Sequence, residues 1–252
     1  MANSMKYFIG NWKMFGHPRS INILNKINNY IKSDKNQRKY NVIITPPYTL
    51  LHSFSKIYKN KKISIGSQNC YFKDFFTSDT GAISPYMIKN LGCKYTIVGH
   101  SDNRFEGDTN QMLKNKVKFS LKNNLKVIFC IGENRAQKQK KQTFKVLGKQ
   151  LKKVLDIKFN NKNIIIAYEP IWSIGTGKIP SSLDLLKTTK FIKNTLNKIF
   201  KTKKSLPVLY GGSVDGGNIG QFKAINEIDG FLIGGASKSS KKFIDIIKNY
   251  YR

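Results

Sequence analysis

Eight short runs of apolar and β-branched residues recur along the chain, with helix-like segments between them. Amphipathic stretches such as 20–32, 111–124 and 182–200 have apolar residues at spacings of three and four. This alternation is typical of parallel strands covered by helices. The predicted strands are KYFIGN (6–11), YNVIIT (40–45), ISIGSQ (63–68), YTIVGH (95–100), KVIFCIG (126–132), NIIIAYE (163–169), LPVLYGG (206–212) and DGFLIGG (229–235).

Eight strand-helix units in 252 residues match the size of a closed (β/α)8 barrel. We therefore predict a single α/β domain, a (β/α)8 barrel that spans residues 1–252. No linker rich in Pro, Gly or Ser divides the chain, and a composition that is 40% hydrophobic can bury one substantial core. A doubly wound open sheet is the alternative architecture.

The formal net charge of +31 raises the hypothesis of a polyanion-binding protein. Nucleic-acid recognition, however, favours the two-pronged arginine side chain. Lysines dominate here, in short scattered runs without interleaved aromatic residues, and only five of the 45 basic residues are arginines: Arg19, Arg38, Arg104, Arg135 and Arg252. We therefore predict a solvated lysine surface and no specific nucleic-acid partner.

The chain carries no sequence signal for export or for a membrane. The start, MANSMKYFIGNWK, lacks the apolar core of about 7–15 residues that a secretory signal needs. No stretch approaches the roughly 18 continuous apolar residues of a membrane helix. Cys70, Cys93 and Cys130 are odd in number and form no CxxC pair, which favours reduced thiols over a disulfide framework or a metal site. We expect a cytoplasmic protein with no membrane partner.

Polar residues and glycines cluster directly after the predicted strands. In a barrel these positions meet at one rim, which carries the active site, and the loops after strands seven and eight typically build a phosphate site there. The cluster comprises Asn11 and Lys13 after the first strand, His100 after the fourth, Glu169 after the sixth, Gly211, Gly212 and Ser213 after the seventh, and Gly234 and Gly235 after the eighth.

Six motifs resemble, in order and spacing, the triosephosphate isomerase family: NWKM (11–14), VGHSD (98–102), VIFCIGE (127–133), AYEPIWSIGTGK (167–178), YGGSV (210–214) and DGFLIGGAS (229–237). The resemblance covers nearly the whole chain. It implies a homodimeric isomerase of glycolysis and gluconeogenesis that interconverts dihydroxyacetone phosphate and D-glyceraldehyde 3-phosphate with neither cofactor nor metal. A different phosphate-binding barrel isomerase would need other residues at positions 13, 100 and 169. A polyanion-binding protein on an isomerase scaffold is the alternative from another class.

The resemblance also assigns roles in catalysis. The family is a well-studied case of a carboxylate base paired with a neutral imidazole, and these roles fall to Glu169 and His100. A short helix beginning after His100 would help to keep its ring neutral. Lys13 and Asn11 match the substrate contacts of the first loop, where the Lys13 cation would also favour negative charge on the reacting oxygen. Cys130 matches a position that we interpret as core packing behind the base.

The remaining matches concern phosphate binding and a lid. Gly175, Ser213, Gly234 and Gly235 match the family's phosphate grip, where glycine allows backbone amides to approach an anion closely. The lid follows Glu169 directly and would exclude water when it closes. It comprises Pro170, Ile171, Trp172, Ser173, Ile174, Gly175, Thr176, Gly177 and Lys178.

Two motifs depart from the family near the expected dimer contact. HSDNR stands where HSERR is usual, so Asp102 replaces a glutamate and Asn103 an arginine. The shorter Asp102 predicts an ion pair with Lys13 that is longer or bridged by water. In the dimer loop at Thr80, TGA replaces TGE and places Ala82 at the glutamate position. Loss of both charged residues predicts a dimer whose contact is less ionic.

The far end of the lid departs as well. Lys178, Ile179 and Pro180 stand where a small triplet such as KTA is common. Proline fixes its own φ and restricts the preceding residue, so this hinge should have fewer conformations to lose on closing.

Overall fold

The computed structural model describes residues 5–252. Residues 1–4 lie outside the described residues. They are part of the predicted barrel span and of the start that was predicted not to be a secretory signal. Eight parallel strands close into one barrel in chain order, with β1 pairing to β2 and to β8. This closed barrel confirms the predicted fold and excludes the open sheet. The strands are β1 (Lys6–Asn11), β2 (Tyr40–Thr45), β3 (Ile63–Ser67), β4 (Tyr95–Val98), β5 (Lys126–Ile131), β6 (Ile164–Tyr168), β7 (Val208–Tyr210) and β8 (Gly230–Ile233).

Helices follow the strands along the chain. Ser181 begins the longest of them by accepting a hydrogen bond from the Asp184 amide at 3.1 Å, the capping role that serine favours. Within the described residues, no helix is long and apolar enough to cross a membrane. The helices are α1 (Ile21–Ser33), α2 (Tyr48–Tyr58), α3 (Pro85–Asn90), α4 (Ser101–Phe105), α5 (Asn110–Lys122), α6 (Arg135–Gln139), α7 (Thr143–Val154), α8 (Ser182–Phe200) and α9 (Ser240–Tyr251).

Strand side chains alternate between the barrel interior and the layer under the helices. In β6, Ile165 and Ala167 belong to the interior cluster, whereas Ile164 and Ile166 pack in the outer one. Residues two apart on a strand share a face. Glu169 is next in the inward-facing row, and its amide still donates to the Ile131 carbonyl at 2.8 Å, which extends the pairing of β5 with β6. The barrel thus delivers this carboxylate to the inside of its carboxyl rim.

Candidate active site

One cavity of about 400 Å³ lies beyond the carboxyl ends of the strands. Every residue predicted to act in catalysis or substrate binding lines it, although these residues come from both ends of the sequence and from its middle. They are Asn11, Lys13, His100, Glu169, Gly175, Ser213, Gly234 and Gly235. The barrel brings all of them together in this one cavity.

Glu169 is a buried carboxylate in a tightly fitted position. It is only 4% exposed, and no group among the described residues donates a hydrogen bond to its Oε2. Two glycines make room for it. A Cβ added at Gly211 would lie 2.6 Å from the Cγ of the Glu169 side chain. A Cβ added at Gly132 would lie 1.8 Å from the backbone carbonyl oxygen of Glu169. The close fit fixes the carboxylate, while Oε2 is free to accept a proton.

Cys130 lies behind the base in the interior cluster, as core packing predicts. Burial, reinforced by the negative charge of Glu169, raises the pKa of the Cys130 thiol well above its ordinary value. The thiol is therefore neutral at physiological pH. Arg104 links the end of β4 to β5. Its Nη2 donates to the Cys130 carbonyl at 3.0 Å and its Nε donates to the Gly99 carbonyl at 2.8 Å.

His100 is the residue that caps α4, and this contact settles which ring nitrogen carries the proton. Its Nδ1 accepts a hydrogen bond from the Asp102 amide at 3.1 Å, so Nδ1 carries no hydrogen. The neutral ring then has its hydrogen on Nε2, which lies 3.6 Å from Oε1 of Glu169. Both side chains are 6% exposed. The site therefore holds a buried carboxylate beside an imidazole N–H that can donate into the cavity.

Lys13 adopts a left-handed backbone conformation with φ of 53°, which is uncommon for a residue with a side chain. The Asn11 Oδ1 accepts from the Lys13 amide at 3.1 Å, and Gln68 Nε2 donates to the carbonyls of Lys13 and Thr45 at 2.9 and 2.8 Å. The Lys13 ammonium donates directly to Asp102 at 3.2 Å. The water-bridged alternative for this ion pair was therefore wrong, because the turn at Lys13 and the start of α4 bring the two side chains into direct contact.

The glycines after β8 leave an open recess. A Cβ added at Gly234 or Gly235 would meet no atom within 4 Å, so the space beside these two backbones is empty cavity. Gly235 begins a short 3-10 turn, which Ser237 closes by donating its amide to the Gly234 carbonyl at 3.0 Å. Ser213 lies on the same wall after β7. The recess has the shape and the exposed backbone that an anionic group requires.

The lid segment is held together by its own hydrogen bonds. Gly175 and Gly177 have φ of 68° and 75°, values that glycine adopts without strain. The Thr176 hydroxyl lies 3.2 Å from the Trp172 carbonyl, and the Trp172 indole donates to Oε1 of the buried Glu133 at 3.0 Å. The tip therefore keeps a defined shape, and its near end is anchored to the loop after β5.

The Ser173 hydroxyl connects both ends of the lid to the barrel. It donates to the Lys178 carbonyl, lies 2.9 Å from the Tyr210 hydroxyl and accepts a long hydrogen bond from the Ser213 amide at 3.4 Å. Burial raises the pKa of Tyr210 to about 12, so its hydroxyl keeps the proton that it donates to Ser173. A Cβ at Gly212 would lie 2.2 Å from the Tyr210 hydroxyl oxygen, so only glycine fits there.

Of the predicted lid residues, only Ile174 and Gly175 line the cavity. Three other predicted residues also lie outside its lining: Asp102 is exposed beside Lys13, Cys130 is buried in the interior cluster, and Thr80 is exposed on the loop between β3 and α3. Gln68 was not predicted as a site residue, although it directly follows β3 and Asn11 likewise stands at the end of β1, so its position was a sequence signal. Lys242 was not predicted either, because no sequence signal marks it. Within residues 5–252, no group of three or more His, Cys, Asp or Glu side chains could hold a metal ion.

The fold and the site together define a barrel enzyme: a (β/α)8 scaffold with a carboxylate, an imidazole and an ammonium group beside a glycine-lined recess. Comparison with known proteins narrows this class. A sequence profile described as triosephosphate isomerase matches residues 6–250. The chain belongs to the triosephosphate isomerase family.

Individual relatives match the sequence of this chain along nearly their whole length. The triosephosphate isomerase of Dictyoglomus thermophilum is 36% identical over 249 residues, which cover 97% of this chain and 99% of the relative. That of Leptospira biflexa is 35% identical over 252 residues, with 96% and 99% covered. A crystal structure of triosephosphate isomerase from Bartonella henselae, 31% identical, superposes with a TM-score of 0.88 and covers 98% of this chain and 99% of that chain.

Proposed function

We propose that the chain is an active isomerase that interconverts dihydroxyacetone phosphate and D-glyceraldehyde 3-phosphate, a step of glycolysis and gluconeogenesis. The observation that carries the proposal is the meeting of Glu169, His100 and Lys13 in one cavity with a glycine-lined recess. Family membership supports it. The comparisons give no support to a polyanion-binding role, and the charge of +31 is compatible with attraction of an anionic substrate.

The reaction moves a proton between two neighbouring carbons. Glu169 would take the proton from the carbon beside the carbonyl, and the electron pair of that C–H bond would move to the carbonyl oxygen to give an enediolate. The same carboxylate would then return the proton to the adjacent carbon. Burial of Glu169 and its unpartnered Oε2 suit this role, because an oxygen that accepts no hydrogen bond from the protein is free to accept the substrate proton.

Two groups would stabilise the negative charge that develops on oxygen. The Nε2–H of His100 would donate a hydrogen bond to the reacting oxygens, and the Lys13 ammonium would supply a positive charge. A neutral imidazole suits this task because its strength as a proton donor is closer to that of the enediol. The hydrogen bonds of Asn11 and Gln68 to the Lys13 backbone would position the cation.

The substrate phosphate would occupy the recess formed by Ser213, Gly234 and Gly235, with Gly175 of the lid above it. Backbone amides would bind it there without an intervening side chain. The lid would exclude water and so keep the enediolate from losing its phosphate. The chemistry proposed is a proton transfer, so it needs no cofactor.

The decisive test is an isomerase assay on the purified chain. We expect turnover of D-glyceraldehyde 3-phosphate to dihydroxyacetone phosphate without added cofactor, followed through reduction of the product by a coupled dehydrogenase. A chain that binds phosphoglycolate but shows no turnover would contradict the proposal and favour a different function for the cavity.

The lid gives a prediction about Ser173. Replacing Ser173 with alanine removes the donor to the Lys178 carbonyl and the acceptor for Tyr210, so the lid conformation that these hydrogen bonds hold should be less stable. Two neutral hydrogen bonds of typical strength contribute about 2 kcal/mol, which corresponds to a loss of about 30-fold in kcat/KM. Steady-state kinetics measure the loss, and the formation of methylglyoxal from released enediolate should rise with it.

Tyr210→Phe provides the matched partner for a double-mutant cycle. Because Ser173 and Tyr210 share one hydrogen bond, the double variant should lose less than the product of the two single losses. Fully multiplicative losses would show that the two hydroxyl groups act independently, which would contradict the proposed link.

We also propose that the chain acts as a homodimer. The loop between β3 and α3 exposes Phe75 and Phe76 by 53% and 68%, and their rings pack together at 4.7 Å and against Tyr86. Met14, next to Lys13, is 98% exposed. Exposed apolar groups of this kind typically mark a protein interface. Family resemblance makes a second copy of the chain the expected partner.

Sedimentation velocity tests the dimer. We expect a dimer at micromolar concentration that persists as salt is raised. Ala82 and Asn103 leave the contact less ionic, and salt screens the repulsion between two chains that each carry +31. Observation of monomer alone at micromolar concentration would contradict this prediction.

We propose a cytoplasmic location for the protein. Its three cysteines, Cys70, Cys93 and Cys130, are free and buried, which suits a compartment in which thiols stay reduced. The proposed substrates are intermediates of central metabolism. Fractionation of the source cells with an antibody to the chain would test the location, and recovery from a membrane or secreted fraction would contradict it.

A further inference from the structure

The active-site cavity contains a second lysine, Lys242, in addition to Lys13. We propose that Lys242 is a substrate-binding residue that attracts and holds the phosphate dianion of the triose phosphate. The inference rests on the proposed function, since it concerns the same cavity. None of the six family motifs includes Lys242, which lies beyond the last of them.

The position of Lys242 is fixed by the start of α9. Lys242 is in the first turn of this helix, and the Ser239 hydroxyl caps the helix by accepting from the Lys242 amide at 3.4 Å. Asn249, further along, donates to the Gly216 carbonyl at 2.8 Å and so holds α9 against the loop after β7. The chain passes from the recess glycines to α9 through a single short turn. Lys242 thus lines the cavity beside the proposed phosphate recess.

The charge of Lys242 is available to a ligand. Among residues 5–252, no ion pair includes it. Lys13, by contrast, pairs with Asp102, and the Lys238 ammonium lies over the Phe15 ring at 5.4 Å. An exposed ammonium with no carboxylate partner can turn toward an arriving anion without first breaking an ion pair.

The cavity needs this positive charge. Its charged lining consists of two cations, Lys13 and Lys242, and two carboxylates, Glu169 and Asp215. Without Lys242 the lining would carry a net negative charge, which repels a phosphate dianion. Lys13 would contact the end of the substrate that reacts, because it lies near His100 and Asp102. Lys242 therefore supplies the cation on the side of the phosphate.

Charge reversal at two neighbouring lysines tests the proposal. Lys242→Glu and Lys242→Gln are compared with Lys241→Glu and Lys241→Gln, because Lys241 is equally exposed but does not line the cavity. We expect Lys242→Gln to raise KM for D-glyceraldehyde 3-phosphate by about threefold to tenfold and Lys242→Glu to raise it further. The value of kcat should stay within about twofold, since the phosphate is bound equally in ground state and transition state.

Three further measurements sharpen the result. The inhibition constant of inorganic phosphate should rise by the same factor as KM. The factor should shrink as salt is raised from about 0.02 M to about 0.3 M, because exposed charges are screened. Lys242→Arg, which keeps the charge, should retain the wild-type KM.

The outcomes separate this inference from the proposed function. A wild-type chain without isomerase activity contradicts the proposed function itself. If the wild type is active and the Lys242 variants match their Lys241 counterparts in KM and in phosphate inhibition, Lys242 has no role in binding and the inference is wrong. A fall in kcat at unchanged KM would also overturn it, since that pattern indicates a role in the chemical step or in the fold.

Discussion

Replacing Glu169 with glutamine is expected to lower kcat for D-glyceraldehyde 3-phosphate by about 10²- to 10⁴-fold, the range for loss of a positioned general base. Glutamine has the same size, so it should fit the space that Gly211 leaves beside the side chain. It cannot accept the proton, however, because a neutral amide is a very weak base. The variant should fold normally and should bind glycerol 3-phosphate, which has no carbonyl, with near wild-type affinity.

Glu106→Gln is the matched control, because Glu106 is an exposed carboxylate just beyond α4 that does not line the cavity. Its kcat should equal that of the wild type. The role assigned to Glu169 is wrong if Glu169→Gln keeps more than about a tenth of the wild-type kcat, since the barrier would then rise by less than 1.4 kcal/mol.

Replacing His100 with asparagine should have the second largest effect, a fall in kcat of about 10²- to 10³-fold. Asparagine is a favoured helix cap, so its Oδ1 can still accept from the Asp102 amide and preserve the start of α4. Its side chain is too short to place a donor where Nε2 lies. The substitution thus separates the cap from the hydrogen bond that would stabilise the enediolate.

The binding of glycerol 3-phosphate checks that the phosphate site of His100→Asn is intact, and circular dichroism checks its fold. His52→Gln, a change at an exposed histidine on α2, should leave kcat unaltered. Wild-type turnover in His100→Asn would show that the reacting oxygens obtain their hydrogen bond from another group.

The sequence predicted the strands well because hydrophobic periodicity reports burial directly. The bounds predicted for β1 and β2 coincide with the observed ones. The seventh strand was predicted as 206–212 but spans only Val208–Tyr210. Pro207 has no amide to donate at one end. At the other end, Gly211 and Gly212 leave the strand geometry to make close contacts with Glu169 and Tyr210.

Site residues that lie at or just after the end of a strand, such as Glu169, Lys13 and Gly234, could be predicted from the sequence. Contacts that depend on distant segments were not. The Ser173 hydroxyl meets Tyr210 only because the lid folds onto the loop after β7, and Lys242 reaches the cavity only because of where α9 begins. The direct contact of Asp102 with Lys13 likewise depends on the left-handed turn at Lys13, which no local sequence pattern predicts.

Isomerisation of D-glyceraldehyde 3-phosphate in heavy water, followed by proton NMR, tests the central claim most directly. If Glu169 transfers the proton, it can exchange with solvent while on the carboxylate, so a share of the dihydroxyacetone phosphate formed by the wild type should carry one deuterium on the carbon that receives the proton. Glu169→Gln should form neither product nor exchanged substrate at a comparable rate. An inert wild-type chain, or a Glu169→Gln variant that forms product at the wild-type rate, would contradict the account.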